Sequence, residues 1–421
     1  MKVSSWGNLE KVNAQFCEAN ESFHDLEKSY LPIGNLRSYG DQALSEESIL
    51  ILCRAQKKIL DFDIDKGLIK VESGILLGDL QRYVRQYGWM LPVLPGTQFV
   101  TVGGSIANDI HGKNHHVRGS FGEWINEMTL LRSDRGIEGI SKTLHGELFF
   151  ATIGGCGLTG VILNATIKLV RDAGEKILEE RFRFRGVKEF VELSVESLDW
   201  DSSVGWLNLF GNNEGIFSRG RRFFSEAKSH EKLYVTFPPW KGPSLLNNFS
   251  NRLLSAAYIK AMIGQSKSIV SEAKHYFPLD GVRNWNRAYG KSGFYQYQLV
   301  LPWDTAIEAS SEILHCIKRH KQSSFLTVIK AFGDKSSGGH LSFPMPGITL
   351  AIDFQNLGAR TESMFKDFDS IVEKAGGRLY LAKDSRMPKE LFWNTYTNIS
   401  KFIPFRDPAI SSRLSERLLD K

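Results

Sequence analysis

Residues 92–122 read PVLPGTQFVTVGGSIANDIHGKNHHVRGSFG, and this stretch decides how the chain is read. Its two prolines and six glycines break any long helix, so the backbone turns repeatedly and comes close to whatever it surrounds. At Gly96-Thr97 and Thr101-Val102-Gly103-Gly104 the missing Cβ atoms let successive N–H groups converge on an anion such as a pyrophosphate, with no lysine required. Ser105 to Ile110, through Asn108 and Asp109, begins a short helix whose N-terminus adds the same electrostatic sign. His111-Gly112-Lys113 then brings ionisable groups to the end of the loop. A plain glycine-rich turn in a β-rich domain has the same local signature, so the flanking sequence must decide.

Upstream, residues 1–30 read as loop and helix. Tyr30 to Asp41 (YLPIGNLRSYGD) then reads as a strand turning into a second glycine-punctuated loop. Short strands are expected at 49–52, 59–63 and 68–72, and a helix at 76–87 that Gly88 stops. Beyond the central stretch, 124–131 and 136–140 read as strands. Residues 155–160 (GCGLTG) satisfy G-x-G-x-x-G, yet the β-branched run 161–169 that follows reads as a strand rather than the helix of a Rossmann site. From about residue 172 a second unit begins. Strands are expected at 178–184 and 232–237, an apolar mixed excursion at 245–270, and a strand at 295–301 with Gln296 and Gln298 on one face and Tyr295 and Tyr297 on the other. A helix at 305–318, a strand at 324–332 carrying Lys330, two short strands within 341–354 and a helix at 361–375 complete an α+β pattern.

With 421 residues and 42% hydrophobic content the chain is expected to form two domains rather than one. No apolar run approaches the roughly 18 residues of a membrane span, and the N-terminus lacks the apolar core of a secretory signal, so the expected address is the cytoplasm. The four cysteines are far apart with no CxxC pair, which favours reduced thiols and no structural zinc. His111, His115 and His116 lack a completing ligand, so no metal is assigned there. The net charge of +6 comes from 53 basic residues interleaved with 47 acidic ones, which argues against a nucleic-acid groove. Two basic runs, 218–222 and 318–321, are either solvated faces or contacts for an anionic lipid surface.

Arg37 to Asp41, the central stretch, Phe149 to Leu163, Trp285 to Gly290, Gln296 to Gln298, Leu341 to Pro344 and Gly376 to Arg386, in that order, resemble the flavoenzymes with a PCMH-type (vanillyl-alcohol-oxidase-type) FAD-binding domain, and within them the decaprenylphosphoryl-ribose oxidases. The resemblance implies a two-domain α+β fold. Residues 1–172 would be the FAD-binding domain, 173–375 a sheet-based substrate-binding (cap) domain, and 376–421 a segment returning to the FAD domain. It also implies FAD contacts at Gly34, Arg37, Ser38, Tyr39, Gly40 and Asp41, at Gly96, Thr97, Thr101, Val102, Gly103, Gly104, Asn108, Asp109, Ile110 and His111, and at Gly155, Gly157, Gly160, Val161, Ile162 and Tyr380. Leu36 stands where the family pattern has a glycine. Arg37 stands where some relatives carry the histidine bonded to the flavin, which implies FAD held non-covalently. Ala351 stands where mycobacterial members carry a cysteine modified by nitroaromatic inhibitors, and alanine offers no nucleophile.

Alcohol oxidation by a flavin takes a hydride from C–H and a proton from O–H, so the protein must supply a proton route and donors beside the ring. The resemblance nominates Lys383, His111 and Lys113 for these tasks. Lys383, facing the ring, is expected either to stabilise reduced flavin or to take the hydroxyl proton. Substrate contacts are expected from Tyr39, Tyr276, Gln296, Gln298, Lys330, Ala351 and Lys383. The implied reaction is oxidation of a ring hydroxyl to a ketone, at C2 of a polyprenyl-phosphate-linked ribose, as the first half of an epimerisation that an NAD(P)H-dependent reductase completes, with peripheral membrane association. The alternatives are oxidation of a free alditol or aldono-1,4-lactone, and a flavin-free carbohydrate-binding protein on the same fold.

Overall fold

The computed structural model describes residues 2–19, 28–211, 213–225, 234–263 and 266–420. Tyr30–Ile33 and Ile49–Leu52 are short apolar runs with little exposed surface, the pattern of strands covered on both sides. They pair in parallel, and Phe16–Glu18 adds a third strand on the other side of Ile49–Leu52. The loop that leaves Ile33 is the first wall of the site described below.

A five-stranded antiparallel sheet runs in the order Gly136–Ser141, Ile125–Arg132, Val161–Lys168, Leu68–Glu72, Ile59–Asp63. Ile69, Val71, Ala165 and Ile167 alternate inward and are fully buried, together with Leu77, Leu80 and Val84 from the helix Leu77–Arg85. Cys156 (φ +56°) and Gly157 (φ +77°) take left-handed turns before Val161, so the G-x-G-x-x-G run opens a strand and not a helix.

The larger sheet has eight antiparallel strands in the order Lys267–Ser271, Lys176–Arg185, Glu214–Phe223, Ser202–Leu207, Thr327–Phe332, Gly347–Gln355, Phe294–Pro302, Arg378–Leu379. Helices Gly186–Val195, Trp303–Arg319 and Ala359–Lys374 pack on one side of it. Tyr297 stacks on Phe365 of the last helix and meets Phe368 edge-on, and Tyr295 meets Phe365 edge-on, which turns Gln296 and Gln298 to the opposite face. After Leu379 the chain joins the loop that follows Ile33: Tyr39 N–H donates to Ala382 O at 2.9 Å.

Several local expectations change. The N-terminal region holds the strands Lys2–Ser4 and Lys11–Asn13 plus Phe16–Glu18, each too short for any periodicity to show, while residues 20–27 lie outside the described residues. Residues 146–152 form a helix. The 245–270 excursion contains a helix, Asn248–Ile263, and then an edge strand. Within 341–354 only Gly347–Gln355 is a strand, since Pro344 and Pro346 cannot donate to a ladder. Of the strand expected at 232–237, residues 232 and 233 are not described and Val235–Thr236 is a two-residue pairing with Val282–Arg283.

The arginines of the basic runs are paired with carboxylates. Arg219 bonds Glu180 and lies over the Phe182 and Trp200 rings, Arg221 bonds Asp199, Arg222 is buried on Glu272, and Arg319 bonds Asp367. Lys318, Arg319 and Lys321 of the second run lie exposed at the end of their helix, the pattern of a solvated face. No helix among the described residues is long and apolar enough to cross a membrane.

Candidate active site

A cavity of about 610 Å³ lies between the segments 32–43, 95–111, 156–162, 279–285 and 380–383 and one face of the large sheet. The first segment, 32–43, is shaped by Leu36, whose φ of +49° is the left-handed conformation that glycine takes without penalty. Packing of its side chain against the core offsets that strain. Among the described residues the N–H groups of Asn35, Leu36, Arg37 and Ser38 donate to no protein atom, which leaves a run of backbone donors facing the cavity. A Cβ at Gly34 would collide with Thr101 Oγ1, so this loop can approach the second segment only as glycine.

The second segment, 95–111, differs from the sequence reading in where its donors go. Gly103 N–H donates to Ser73 O at 2.8 Å, and Gly104 N–H to Thr101 Oγ1 at 3.1 Å. The helix Val102–Ala107 is therefore capped by its own threonine, and among the described residues the amides of Gly96 and Thr97, together with those of residues 35–38, are left without a protein acceptor in the cavity wall. Asp109 is fully buried and turned from the cavity. Its carboxylate accepts from Ser120 Oγ (2.9 Å), Ser337 Oγ (2.6 Å), Ser342 Oγ (2.7 Å) and Gly122 N–H (2.8 Å), which fixes the loop that presents His111.

His111 sits between the rings of Phe332, Phe343 and Tyr380 with 7% of its surface exposed. Burial holds its pKa well below the usual imidazole value, and the charges of Lys330, His115 and Lys383 push it the same way. The ring is neutral. As the Gln298 amide is oriented, its Nε2–H donates to His111 Nε2 at 3.0 Å, which puts the imidazole proton on Nδ1, a buried atom with no protein partner. His111 thus offers the cavity a donor rather than a base.

Lys383 enters from the segment after Leu379, its Nζ 3.6 Å from the Tyr39 ring centroid. Burial pulls its pKa down to about 7, against the opposing charge of Asp353. Lys330 is brought to about 7 by burial and by the positive charges of Lys113 and Lys383. Two amines in one wall are therefore partly neutral near pH 7. Behind them Asp353, 1% exposed, accepts from Gln296 Nε2 at 2.6 Å, and burial raises its carboxyl to about 7. Gln296 faces Asp353 across the two strands and Gln298 faces Ala351, so the glutamine alternation on one strand is answered by an alternation on the next.

The cavity brings together Gly34, Arg37, Ser38, Tyr39, Gly96, Thr97, Thr101, Gly103, Gly104, Asn108, Ile110, His111, Gly157, Gly160, Ile162, Gln296, Gln298, Lys330, Ala351, Tyr380 and Lys383. The remaining expected site residues stand outside its wall. Lys113 turns to the carbonyl of His275, drawn by Glu179. Tyr276 is 1% exposed and packs beneath the Arg222 guanidinium, 4.9 Å from its centroid. Val102 and Val161 are fully buried core, and Gly40 and Gly155 lie against the backbone of Asp384 and Ala151. Asp41 pairs with Arg417. Sequence reasoning missed Gln42, Ser73, Asp280 and Asp353. For Asp353 a signal existed: an aspartate in the apolar strand GITLAIDFQ needs a buried partner, and Gln296 supplies it.

The arrangement fits a flavin dinucleotide. Arg37 Nε, Gln42 Oε1, Ser73 Oγ, Asn108 Oδ1 and His111 Nδ1 are buried cavity-wall atoms without protein partners, the condition a polar ligand relieves. The volume is that of a cofactor pocket.

Comparison with known proteins agrees. Residues 10–137 match the family described as FAD binding domain. Decaprenylphosphoryl-β-D-ribose oxidase of Mycolicibacterium smegmatis is 32% identical over 404 residues, covering 91% of this chain and 87% of that protein. A Streptomyces coelicolor protein described as an uncharacterized protein in the mprA 5' region is 27% identical over 374 residues, 82% of this chain and all of that one. Mouse L-gulonolactone oxidase is 30% identical over 140 residues, 33% of this chain and 31% of the oxidase. The matched residues include the loop that carries the free amides and the helix that Thr101 caps, and the chain belongs to the PCMH-type FAD-dependent oxidoreductases, in the family of decaprenylphosphoryl-β-D-ribose oxidase.

Proposed function

We propose that the chain oxidises a sugar ring hydroxyl to a ketone, the C2 hydroxyl of a polyprenyl-phosphate-linked ribose, and so begins an epimerisation that a separate NAD(P)H-dependent reductase completes. The observation that carries this reading is the single cavity wall holding Gln296, Gln298, Lys330 and Lys383, two amides and two partly neutral amines beside the flavin-binding loops. Bound FAD supplies the acceptor for the hydride leaving the carbinol carbon. Lys383, as the neutral amine, takes the proton of the reacting hydroxyl. The glutamine amides and His111 Nδ1–H orient the ring through its hydroxyls. In this reading residues 1–172 and 376–421 hold the cofactor and 173–375 present the substrate. Assays of the purified protein on prenyl-phosphoribose, alditols and aldonolactones test it: turnover of the first is expected, and turnover of only the soluble compounds contradicts it.

The lipid part of such a substrate implies an apolar approach. Leu245, Phe249, Leu253 and Leu254 are exposed on and beside the helix Asn248–Ile263, and Leu245 N–H donates to Ala288 O at 2.8 Å, three residues from the cavity-lining Trp285. This surface is suited to peripheral contact with a bilayer. Co-sedimentation with anionic vesicles is expected, and to fall in Phe249→Ser.

FAD is held without a covalent bond in this account, because Arg37 has no nucleophilic atom and its guanidinium lies over Trp6, 4.3 Å from the centroid. Acid precipitation is expected to leave the yellow colour in the supernatant; colour in the pellet contradicts it. Ala351 gives reductively activated nitroaromatics nothing to attack, and burial pushes the thiols of Cys53 and Cys156, also in the wall, up to about 12. The intact mass is expected to stay unchanged after turnover with such compounds, whereas Ala351→Cys gains one adduct.

A further inference from the structure

Cys316 and His320 stand one turn apart at the C-terminal end of the helix Trp303–Arg319, where His320 is the capping residue, and Asp367 meets them from the helix Ala359–Lys374. Among the described residues this is the group of three cysteine, histidine or carboxylate side chains whose ligand atoms all lie within 4.8 Å of one another. Three donors converge on one oxygen. Asp367 Oδ2 lies 2.8 Å from His320 Nε2, 3.7 Å from Cys316 Sγ and 2.8 Å from Arg319 Nη2, and the same guanidinium nitrogen is 3.5 Å from Cys316 Sγ. The arginine occupies the place of a cation. Its side chain is 68% exposed, so it leaves for water at little cost, whereas Cys316 is 2% exposed and His320 17%.

We propose that Cys316, His320 and Asp367 form a divalent-cation site of the zinc class, outside the cavity wall and independent of the oxidation chemistry. A thiolate, an imidazole and a carboxylate are the ligand set that zinc and its neighbours prefer, and calcium and magnesium do not. The i, i+4 spacing puts the sulfur and the imidazole on one helix face, and a helix C-terminus favours positive charge. Binding breaks the Cys316 S–H bond, forms a metal–sulfur bond and releases the proton to solvent, with water as fourth ligand and Arg319 displaced. Because a thiolate and a neutral imidazole are the binding forms, acid weakens the site. Because the two helices pack against each other on the back of the large sheet, the bound ion ties them together and stabilises the fold by mass action.

The FAD-loaded full-length protein titrated with Co²⁺ tests this by difference spectroscopy at wavelengths beyond the flavin bands. Four-coordinate cobalt absorption, discharged by Zn²⁺, is expected. Cys316→Ser should abolish it, and His320→Gln and Asp367→Asn should each weaken binding by roughly tenfold or more. Arg319→Ala removes the competing cation at an exposed position and should tighten binding, with flavin content unchanged. Absence of the cobalt bands, their survival in Cys316→Ser, or weaker binding in Arg319→Ala would overturn the assignment.

Discussion

Replacing Lys383 with methionine is expected to lower kcat for sugar oxidation by about 10²–10⁴-fold, the range of a lost general base, with KM and flavin content little changed. Methionine keeps the apolar stem and removes the amine. The native amine titrates near 7 because burial disfavours its charge, so kcat should rise with pH through about 7 and level off above it. That ascending limb should vanish in the variant. Lys383→Arg separates the two roles open to this residue: arginine keeps the positive charge and cannot give up its proton at these pH values. If proton acceptance is the function, arginine is as inactive as methionine. If charge beside the ring is what counts, arginine restores most of the rate.

The second large effect lies far from the chemistry, at Arg417. Its guanidinium donates to Asp41 Oδ2 at 2.9 Å, to Asp41 Oδ1 at 3.1 Å and to Met387 O at 2.7 Å, and pairs with Asp384 Oδ2 at 2.9 Å. Both carboxylates are buried, Asp41 with 4% and Asp384 with 8% of their surface exposed. Arg417→Ala leaves them facing each other without a counter-ion, and the expected loss is about 3–5 kcal/mol of stability, read as a lowered Tm or denaturation midpoint. Even beside Arg417, burial raises Asp41 to about 6. Without the arginine the folded-state pKa rises further above the unfolded value, so the folded form binds more protons than the unfolded one. The destabilisation must therefore grow as pH rises from about 5 to 8 and shrink in mild acid. A loss below about 1 kcal/mol, or one that is the same at both pH values, would contradict the role given to this pair.

These two residues mark what the sequence reveals and what it hides. The Gln296/Gln298 alternation was legible because the period of its strand is visible within a few residues, and the strand-forming context of Gly155 to Leu169 was enough to reject a Rossmann helix, whereas Lys383 was nominated only by the family resemblance of the block around it. Arg417 was invisible, because its partners are 376 and 33 positions away and nothing local distinguishes it from a solvated arginine on a terminal helix. Lys113 shows the opposite failure. Only one residue separates it from His111, yet the loop turns its ammonium under His275, so adjacency in sequence did not bring both to the cavity. The glycines promised an anion site in the right part of the chain, but which N–H groups remain free depends on Ser73 and Thr101 taking those of Gly103 and Gly104, a competition between distant segments.

The central claim is that FAD in this cavity meets a prenyl-linked pentose beside Lys383. Anaerobic mixing of the yellow holoenzyme with prenyl-phosphoribose, followed at the flavin absorbance in a single turnover, tests it most directly. Rapid bleaching by the wild-type protein, and bleaching slowed by about two to four orders of magnitude in Lys383→Met, is the predicted result. A flavin that stays oxidised with this sugar yet bleaches with a soluble alditol, or bleaches equally fast in both proteins, would contradict the account.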